Sequence, residues 1–385
     1  MNVLIFSPYY PPHIGGLESH SEEFNQQLAQ RGIDVLVFTP RLPKDAPERE
    51  TRRGVRIIRF PAFEIIPNFP LPQFFPFFWT PGFWRMFSSL WNERPDVVIS
   101  RTRFFVSSLL ALVYAKLRGI PLVHIEHGSD FVRLSSQFKT IIAKLYDYSF
   151  GQLIFRYSDI NISISEAVQK FVNQFDKRES PIIYRGLDFE DLDSIPVDTT
   201  LYQRYPNRTI ITTAARLYQW KGIENTIAAI RSLPKELQTK IIFLIVGDGE
   251  DFERLKKLSE GLPIEMLGRR PRSEVIGILK ASDIYIHSSL PGGGLSTSLL
   301  EAMYCKCAVI ATKNEGADEV ITHQRNGFLL PKDNVQETLK AIQIILKNPS
   351  FQNKYAEEAY LFTKKKFSWE MSLKNYLAIL HSFCS

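Results

Sequence analysis

The sequence is poor in cysteine, with three in 385 residues. Three cysteines cannot form a disulfide framework, and none of them has the spacing of a metal-ligand set. We therefore expect no bound metal and a reducing, cytoplasmic setting. The N-terminus lacks the basic segment that opens a signal peptide and starts directly with an apolar strand pattern. Helix-turn-helix, zinc-finger and aromatic RNA-binding signatures are also missing, which argues against a nucleic-acid partner.

Positive charge is in modest excess, with a net charge of +6 at pH 7. Much of the excess is local, because five arginines fall between positions 49 and 59: Arg49, Arg52, Arg53, Arg56 and Arg59. A solvated basic face would explain the cluster, and so would an anionic partner such as a membrane surface or a phosphorylated substrate. The sequence leaves both interpretations open.

Short β-branched runs alternate with longer segments of helical period along the whole chain. The runs are NVLIFSP, DVLVFTP, VRIIRF, DVVIS, PLVHIEH and INISIS in the first half, and TIITTAA, IIFLIVG, IEMLG, IYIHSS, AVIAT and GFLLP in the second. Near-continuous apolar strands are typical of parallel sheets covered by helices on both faces. The sequence therefore predicts an α/β fold with two doubly wound, Rossmann-like domains, each with a ligand crevice at the carboxyl ends of its strands.

The boundary between these domains is expected near residue 186. The segment 185–209 is polar and turn-rich and shows no helical period, so we assign it as the interdomain linker. The predicted divisions are a first Rossmann-like domain at 1–186, a second at 187–366 and a terminal helical segment at 367–385. A cleft between two such domains is a natural site for a small molecule.

One segment does not follow this alternation. Residues 62–91 hold eleven aromatic residues and five prolines, and the prolines exclude a continuous membrane-spanning helix. Apolar core packing would explain the composition. A peripheral contact with a membrane, next to the arginine cluster, is the interpretation that we favour.

Candidate ligand contacts in the first half follow two predicted strands. Gly15 and Gly16 open a helix after the first strand, where backbone N–H groups and the positive helix end favour phosphate, although an ordinary helix-entry turn would look the same. His127 stands at the carboxyl end of another strand beside Gly128, and this position faces the crevice. His124 lies within that strand and is expected to be buried packing.

Two cations in the second half stand five residues apart. Arg216 follows a strand directly, and Lys221 opens the next helix. Two positive side chains at a strand-to-helix turn can neutralise a diphosphate, with arginine as a planar fork and lysine as a point charge. A pair exposed at the surface without function is the alternative.

A glycine-rich loop at 288–303 is the third candidate. Its three glycines at 292–294 allow positive φ and can turn consecutive N–H groups inward around an anion. The predicted ligand-binding positions in this loop are Gly293, Gly294, Leu295, Ser296 and Thr297. Glu301 could accept hydrogen bonds from a ribose diol, or it could complete a capping box with Ser298 at the helix start.

Asp191 and Asp193 have the spacing of a metal-binding carboxylate pair. They lie in the predicted linker rather than at the end of a strand, so we do not assign them a metal.

Taken in order, these motifs resemble the retaining glycosyltransferases of family four, which have the GT-B fold. The resemblance spans nearly the whole chain and rests on Gly15-Gly16, EHGSDF, SISEAV, RGLD, ARL with KG, VGDGED, SSLPGGGLSTSLLEAM and NGFLL. It implies two Rossmann-like domains facing each other across a cleft, with the acceptor bound by 1–186 and the nucleotide sugar by 187–366. It also implies that a C-terminal helix at 367–385 crosses back to the N-terminal domain.

The resemblance also implies roles for the matching positions. Gly16 would lie against the donor phosphates, and Arg216 and Lys221 would neutralise the diphosphate leaving group without a metal. His127 would approach the donor sugar, and Glu301 would bind the ribose hydroxyls. Transfer in this family is commonly described as front-face attack in which the leaving phosphate helps to take the acceptor's proton, so no protein nucleophile is needed.

Two positions depart from the family pattern. Gly293 stands where a glutamate is frequent, eight residues before Glu301, and Arg185 stands where an asparagine is frequent. The first change puts the binding of the donor sugar in doubt but leaves the diphosphate contacts in place.

The expected function is transfer of a sugar from a nucleotide diphosphate donor, UDP- or GDP-linked, to a lipid-linked or cell-envelope glycan acceptor. The protein would act in the cytoplasm at the inner face of the membrane. A sugar-nucleotide epimerase on the same fold is the first alternative, although few carboxylates are predicted in the cleft. A non-catalytic partner that binds a sugar nucleotide is the second, and Gly293 is its only support.

Overall fold

The structure, a computed structural model, describes residues 1–13, 16–66, 69–73, 81–131, 137–290, 294–314 and 316–384. The chain divides into two compact units. Unit 1 comprises Met1–Arg185 and Trp369–Ser385, and unit 2 comprises Gly186–Ser368. The predicted divisions at 186/187 and 366/367 lie within two residues of these bounds.

Unit 1 is built on a seven-stranded sheet with the order β3-β4-β2-β1-β7-β8-β9. Its strands are β1 (Asn2–Phe6), β2 (Asp34–Pro40), β3 (Arg49–Arg52), β4 (Val55–Phe60), β7 (Val97–Arg101), β8 (Leu122–Glu126) and β9 (Ile160–Ser163). A separate antiparallel pair is formed by β5 (Ala62–Ile66) and β6 (Phe69–Pro72). All pairings in the large sheet are parallel except that of β3 with β4.

Unit 2 is built on a six-stranded parallel sheet with the order β12-β11-β10-β13-β14-β15. Its strands are β10 (Thr209–Ala214), β11 (Ile241–Val246), β12 (Ile264–Gly268), β13 (Ile284–His287), β14 (Ala308–Thr312) and β15 (Phe328–Leu330). Each strand coincides with one of the apolar runs of the sequence. The central strands β10, β11 and β13 are almost entirely buried because helices cover both faces of the sheet.

The helices of unit 1 are α1 (Gly16–Ala29), α2 (Pro81–Ser89), α3 (Val106–Arg118), α4 (Gln137–Tyr146), α5 (Gln152–Tyr157) and α6 (Glu166–Val172). Those of unit 2 are α7 (Phe189–Ser194), α8 (Thr200–Arg204), α9 (Ile223–Arg231), α10 (Lys235–Gln238), α11 (Phe252–Ser259), α12 (Arg272–Lys280), α13 (Thr297–Tyr304), α14 (Ala317–Val320), α15 (Val335–Lys347) and α16 (Pro349–Lys366). The last helix, α17 (Trp369–His381), returns to unit 1 as predicted. It buries Trp369, Leu373, Tyr376 and Leu380 in the same core as α1.

The segment predicted as a linker without helical period contains two short helices. Asp188 caps α7 by accepting a hydrogen bond from the N–H of Asp191, and α8 follows after five residues. Helices of five or six residues are too short to show a 3.6-residue period, so neither of them was predicted. The two candidate carboxylates are also engaged, because Asp191 pairs with Arg272 and Asp193 accepts from the Tyr304 hydroxyl at 3.0 Å.

The arginine cluster lies on β3, the turn after it and β4, where its charges are paired within unit 1. The ion pairs are Arg52 with Glu22, Arg56 with Asp34 and Glu93, and Arg59 with Glu50. Arg59 is fully buried. Most of the local excess of positive charge is therefore balanced inside unit 1, and a uniformly solvated basic face is not what the structure contains.

The aromatic segment 62–91 is partly buried and partly exposed. Within α2, Phe83, Met86 and Phe87 are buried in the core beneath β2 and β4. Trp84 and Trp91 remain about two-fifths exposed, at 38% and 42%. Residues 67–68 and 74–80 lie outside the described part of the chain. Core packing therefore explains the described residues of this segment that face the sheet, such as Phe83, Met86 and Phe87.

Candidate functional site

In unit 2, the carboxyl ends of β10, β11 and β13 lead into loops that pack against one another. The N–H of Leu217 donates to the carbonyl of Asp248 at 2.9 Å, and the N–H of Leu290 donates to the carbonyl of Trp220 at 2.8 Å. Gly247 is required at its position, because it has φ +137° and a Cβ there would lie 1.8 Å from the Ala215 oxygen. The loops thus form a continuous surface at the edge of the sheet where ligands of parallel α/β domains bind.

The predicted cation pair lies in the loop after β10. Arg216 is exposed, whereas Lys221 is half-buried and its Nζ lies 4.0 Å from the centre of the Trp220 ring. Burial lowers the pKa of Lys221 to about 8. Among the described residues none forms a salt bridge with Lys221. The ammonium group is therefore easier to deprotonate than that of an exposed lysine but still carries its charge near pH 7, and an anion beside it would stabilise the charged form.

Lys221 is fixed by the loop after β13. The hydroxyl of Ser288 donates to the Lys221 carbonyl at 2.7 Å, and Gly222 follows with φ +61°. A Cβ at Gly222 would lie 2.5 Å from the Ser288 carbonyl oxygen, so only glycine allows this approach. His287, the last residue of β13, is buried, and burial together with Lys221 lowers its pKa to about 3. Sequence reasoning missed His287, although its place at a strand end is the signal that identified His127.

The glycine-rich loop is described from Gly294 onward. Gly293, like Gly292, lies outside the described residues. Gly294 has φ +60°, and the backbone of Leu295 approaches Gly316 so closely that a Cβ on Gly316 would lie 2.5 Å from the Leu295 Cα. The loop after β14 therefore packs directly against the backbone of the predicted donor-binding segment.

The predicted capping box is wrong. Helix α13 begins at Thr297 with Ser296 as its N-cap, and the Ser296 side chain makes no capping hydrogen bond. Ser298 lies inside the first turn and accepts from the Tyr285 hydroxyl at 2.9 Å. Glu301 is 6% exposed and accepts from the Arg272 guanidinium at 3.2 Å. Arg272 therefore orients the Glu301 carboxylate, which does not form the predicted capping box with Ser298.

In unit 1, α1 begins at Gly16 after the first strand, as the sequence indicated, and Gly15 lies outside the described residues. His127 follows β8 directly. Its Nε2 is buried and has no hydrogen-bond partner among the described residues. Burial, together with the charge of Arg101, lowers the pKa of His127 to about 3, so its imidazole is neutral near pH 7. The predicted residues of unit 1 and of unit 2 belong to separate compact units.

A buried ionic network holds the loop of His127, and sequence reasoning missed it. Glu126 accepts from the N–H groups of His127 at 2.9 Å and of Gly128 at 2.6 Å. Its carboxylate pairs with Arg103 at 3.1 Å, and Arg103 also pairs with Asp147 at 3.1 Å. Burial alone would raise the pKa of Glu126, but Arg103 and His124 hold it well below its usual value. Glu126 is therefore a permanent anion that fixes the backbone on which His127 stands.

His124 is buried, as expected, but it is also part of this network. Its Nδ1 lies 2.8 Å from the Ser100 hydroxyl and its Nε2 lies 3.2 Å from Glu126. Glu126 could have been suspected from its position at the end of a buried strand, since a carboxylate there is rare without a partner.

The described residues include no group of three or more histidine, cysteine, aspartate or glutamate side chains able to hold a metal ion. Within those same ranges, none of the helices is both long enough and apolar enough to cross a membrane.

Two family models match the chain, one in each half. The model described as Glycosyltransferase Family 4 matches residues 14–191, and the model described as Glycosyl transferases group 1 matches residues 202–362. An uncharacterized glycosyltransferase of Methanocaldococcus jannaschii is 43% identical over 98% of both chains. The phosphatidylinositol N-acetylglucosaminyltransferase GPI3 subunit of Saccharomyces cerevisiae is 25% identical over 89% of this chain and 75% of its own length.

Solved structures give the same picture of the fold. HepE of Anabaena, solved in complex with UDP, is similar with a TM-score of 0.77 at 19% identity, over 99% of this chain and 100% of its own. The structural neighbours are glycosyltransferases of the GT-B fold, which agrees with the two Rossmann-like sheets described above. With the two matched models and the relative at 43% identity, the chain belongs to the GT-B glycosyltransferases of family 4, group 1.

Proposed function

We propose that this glycosyltransferase moves a sugar from a UDP- or GDP-linked donor to a lipid-linked or cell-envelope glycan, with retention of the anomeric configuration. The observation that carries the proposal is the loop after β10, in which Lys221 is half-buried and Arg216 is exposed. Such a pair suits a diphosphate leaving group, whose negative charge grows as the glycosidic bond to the sugar breaks.

UDP is the donor nucleotide that we put first. The HepE structures were solved with UDP and with UDP-glucose, and the yeast relative is named the phosphatidylinositol N-acetylglucosaminyltransferase GPI3 subunit. The name of that relative also supports a lipid-linked acceptor.

Within this proposal each residue has a distinct role. Arg216 and Lys221 bind the diphosphate, and the N–H groups of Gly294, Leu295 and Ser296 surround the sugar phosphate. Glu301, oriented by Arg272, accepts hydrogen bonds from the ribose. His127 is neutral and faces the reacting sugar with an N–H or a lone pair. The cation pair takes the place of a divalent metal, so EDTA should leave turnover unchanged.

The test is release of the nucleoside diphosphate from a panel of UDP- and GDP-sugars, with and without a polyprenyl phosphate acceptor. Arg216→Ala and Lys221→Ala should each weaken donor affinity and slow turnover about tenfold or more, since each removes a charge-assisted contact. Lys257→Ala, an exposed lysine on α11, is the matched control and should change neither.

Three other outcomes would redirect the proposal. Donor binding without any release of nucleoside diphosphate would favour a non-catalytic partner, and interconversion of the sugar without transfer would favour an epimerase. Unchanged donor affinity in both alanine variants would show that Arg216 and Lys221 do not bind the donor.

The contact of residues 62–91 with a membrane at the cytoplasmic face also stays a proposal. The exposed rings of Trp84 and Trp91 support it, since both residues are suited to a membrane interface. Flotation with vesicles tests it, and Trp84→Glu should then reduce the bound fraction.

A further inference from the structure

Arg101 is the most unusual charged residue of unit 1. It ends β7, is fully buried beneath α1, and its guanidinium lies 4.8 Å from the centre of the Phe24 ring. Its Nε, Nη1 and Nη2 all lack a hydrogen-bond acceptor in the described part of the chain. Burial lowers its pKa to about 10, so the side chain remains charged near pH 7. A buried guanidinium without an acceptor is costly unless something else supplies one.

Three further basic side chains lie near it, and together with Arg101 they form what we call the basic cluster: His20, Arg101, His127 and Arg185. The rings of His20 and His127 are 5.6 Å apart, and the Nε2 of each is buried with no partner in the described ranges. Trp369 stacks on His20 at 5.5 Å and fixes its ring. Burial and the charges of Arg101 and Arg185 lower the pKa of both histidines, so each is neutral and can present an N–H.

Little negative charge compensates the cluster. Arg185 contacts Glu23 at 3.3 Å, and Glu126, which lies next to His127, is bound by Arg103. The hydroxyl of Ser129, two residues after His127, is a further buried donor without a described partner. Donors from α1, β7 and the loop after β8 thus meet in one region with an excess of positive charge.

We propose that the basic cluster binds a phosphate group through Arg101, with His20 and His127 as additional donors. Phosphate fits better than carboxylate, because a planar carboxylate is satisfied by one guanidinium fork, whereas a tetrahedral phosphate uses donors from several elements. His127 keeps part of its surface exposed, so the cluster reaches solvent at the carboxyl end of β8.

The experiment measures thermal unfolding of the full chain in sodium phosphate and in sodium chloride of equal ionic strength. It is done in a Lys221→Ala background, which weakens phosphate binding by the loop after β10. Phosphate should raise the unfolding temperature in a saturable way that chloride does not reproduce. Adding Arg101→Met should weaken the apparent phosphate affinity by about tenfold or more, as expected for loss of a charge-assisted contact.

Arg101→Met is expected to fold, because it removes a buried charge that has no described acceptor and keeps the apolar stem. Arg101→Lys provides a second measurement, with the charge retained and the planar fork lost, and should give an intermediate affinity. Equal responses to phosphate and chloride, or a phosphate response that survives Arg101→Met, would overturn the proposal.

Two phosphate sources are distinguished in the chain with Lys221 intact. Weaker UDP binding in Arg101→Met assigns the phosphate to the donor, whereas unchanged UDP binding with weaker glycerol 3-phosphate binding assigns it to the acceptor. Every readout is a binding measurement. Failure of sugar transfer would therefore contradict the proposed function without contradicting the phosphate site. Absence of phosphate binding would contradict the site without contradicting the proposed function.

A second, independent feature of unit 1 is an exposed apolar surface on the helical segment from α4 through a π turn at Asp147–Gly151 to α5. Seven large hydrophobic side chains there are between 41% and 63% exposed. They form what we call the apolar surface: Ile141, Ile142, Leu145, Tyr148, Phe150, Leu153 and Tyr157. Isolated exposed hydrophobic residues are common, but seven within seventeen positions are not.

The charges of this segment indicate what covers the apolar surface. Lys144 and Arg156 are exposed, whereas Asp147, the only acidic residue of 137–157, is buried against Arg103. An apolar surface whose own segment exposes cations and buries its single acidic residue, with tyrosines among its members, suits the headgroup boundary of an anionic bilayer. We infer that unit 1 binds an anionic lipid surface through α4 and α5, with these helices lying in the plane of the interface.

Flotation with vesicles of phosphatidylcholine alone and with phosphatidylglycerol added tests this inference. The wild-type chain should float with the anionic vesicles, and Ile141→Glu with Leu145→Glu should lower the bound fraction at least about fivefold. Leu361→Glu, a similarly exposed position on α16 of unit 2, is the matched control and should bind as the wild type does.

Three results would count against the lipid surface. The double variant could float as well as the wild type, or Trp84→Glu alone could abolish binding, which would place the contact at 62–91. A wild-type dimer that the double variant dissociates, without any vesicle binding, would assign the apolar surface to a second copy of this chain. Because the substituted side chains are exposed, the unfolding temperature should not change and serves as the folding control.

Discussion

Lys221 is a proposed donor contact whose charge depends on its burial. Burial lowers its pKa to about 8, and a bound diphosphate favours its charged form. Below pH 8 the free site already carries the proton, whereas above pH 8 a proton must be taken up before the charge can act. Donor binding should therefore weaken as the pH rises through this range.

We predict that UDP binds about tenfold more weakly at pH 9 than at pH 7, because the charged fraction of Lys221 falls by about that factor. Isothermal titration calorimetry at the two pH values measures it. Lys221→Arg, which stays charged at both, should lose this dependence. The same loss of affinity in the arginine variant would show that another group titrates.

Substitution of Glu126 is predicted to destabilise the fold. Glu126→Gln removes the charge that Arg103 neutralises and places an amide among the N–H groups of Arg103, His127 and Gly128. Breaking a buried pair in this way should lower the free energy of unfolding by about 3–5 kcal/mol. Urea titration gives the value. Glu93→Gln, which weakens the partly exposed pair with Arg56, should cost less than about 1 kcal/mol.

Among the elements, the buried strands were the most predictable and the short or charged ones the least. All twelve apolar runs form strands, because continuous β-branched sequence has few other stable arrangements in an α/β fold. β3 was missed because its four residues Arg49–Arg52 carry three charges and pair at the sheet edge. The basic cluster was missed because its members are far apart in sequence, and no local pattern indicates that Arg101 and His20 meet.

The loop elements of unit 2 depend on close backbone contacts, and two glycines allow a matched test. Gly222 and Gly261 have similar positive φ values, +61° and +73°, but only Gly222 faces a neighbouring backbone, the Ser288 carbonyl. Gly261→Ala should cost about 1 kcal/mol for the left-handed conformation alone. Gly222→Ala should cost more and also weaken UDP binding, because Lys221 must move. Urea titration and UDP titration measure the two effects, and equal costs would contradict this account.

At the scale of the whole molecule, unit 1 is assembled from two distant parts of the chain. The core around α1 contains Leu373 and Tyr376 from α17 as well as residues of β1, β7 and β8. The hydroxyl of Ser372 donates to the Tyr184 carbonyl at 2.7 Å, at the point where the chain leaves unit 1. The last helix is therefore structural for the unit that contains the first strand.

We predict that Leu373→Ala lowers the free energy of unfolding of unit 1 by about 2–5 kcal/mol, the cost of truncating a buried leucine. Met371→Ala, at a position that is 48% exposed on the same helix, should cost less than about 1 kcal/mol. Hydrogen exchange on the full chain measures both, since amides of the unit 1 strands should lose protection while those of β10 and β11 keep theirs. Equal losses in both units would show that they unfold together.

The discontinuity of unit 1 also sets the order in which the nascent chain can fold. Gly186–Ser368 leaves the ribosome as one uninterrupted segment, so unit 2 has its whole core available before α17 has been made. The strands of unit 1 are synthesised earlier, but their core cannot be completed until α17 has been made. Until then, the surface that later contacts Trp369 and Tyr376 stays uncovered. The half of the chain made first is therefore the half completed last, and until α17 is made its uncovered core exposes apolar surface of the kind that promotes aggregation.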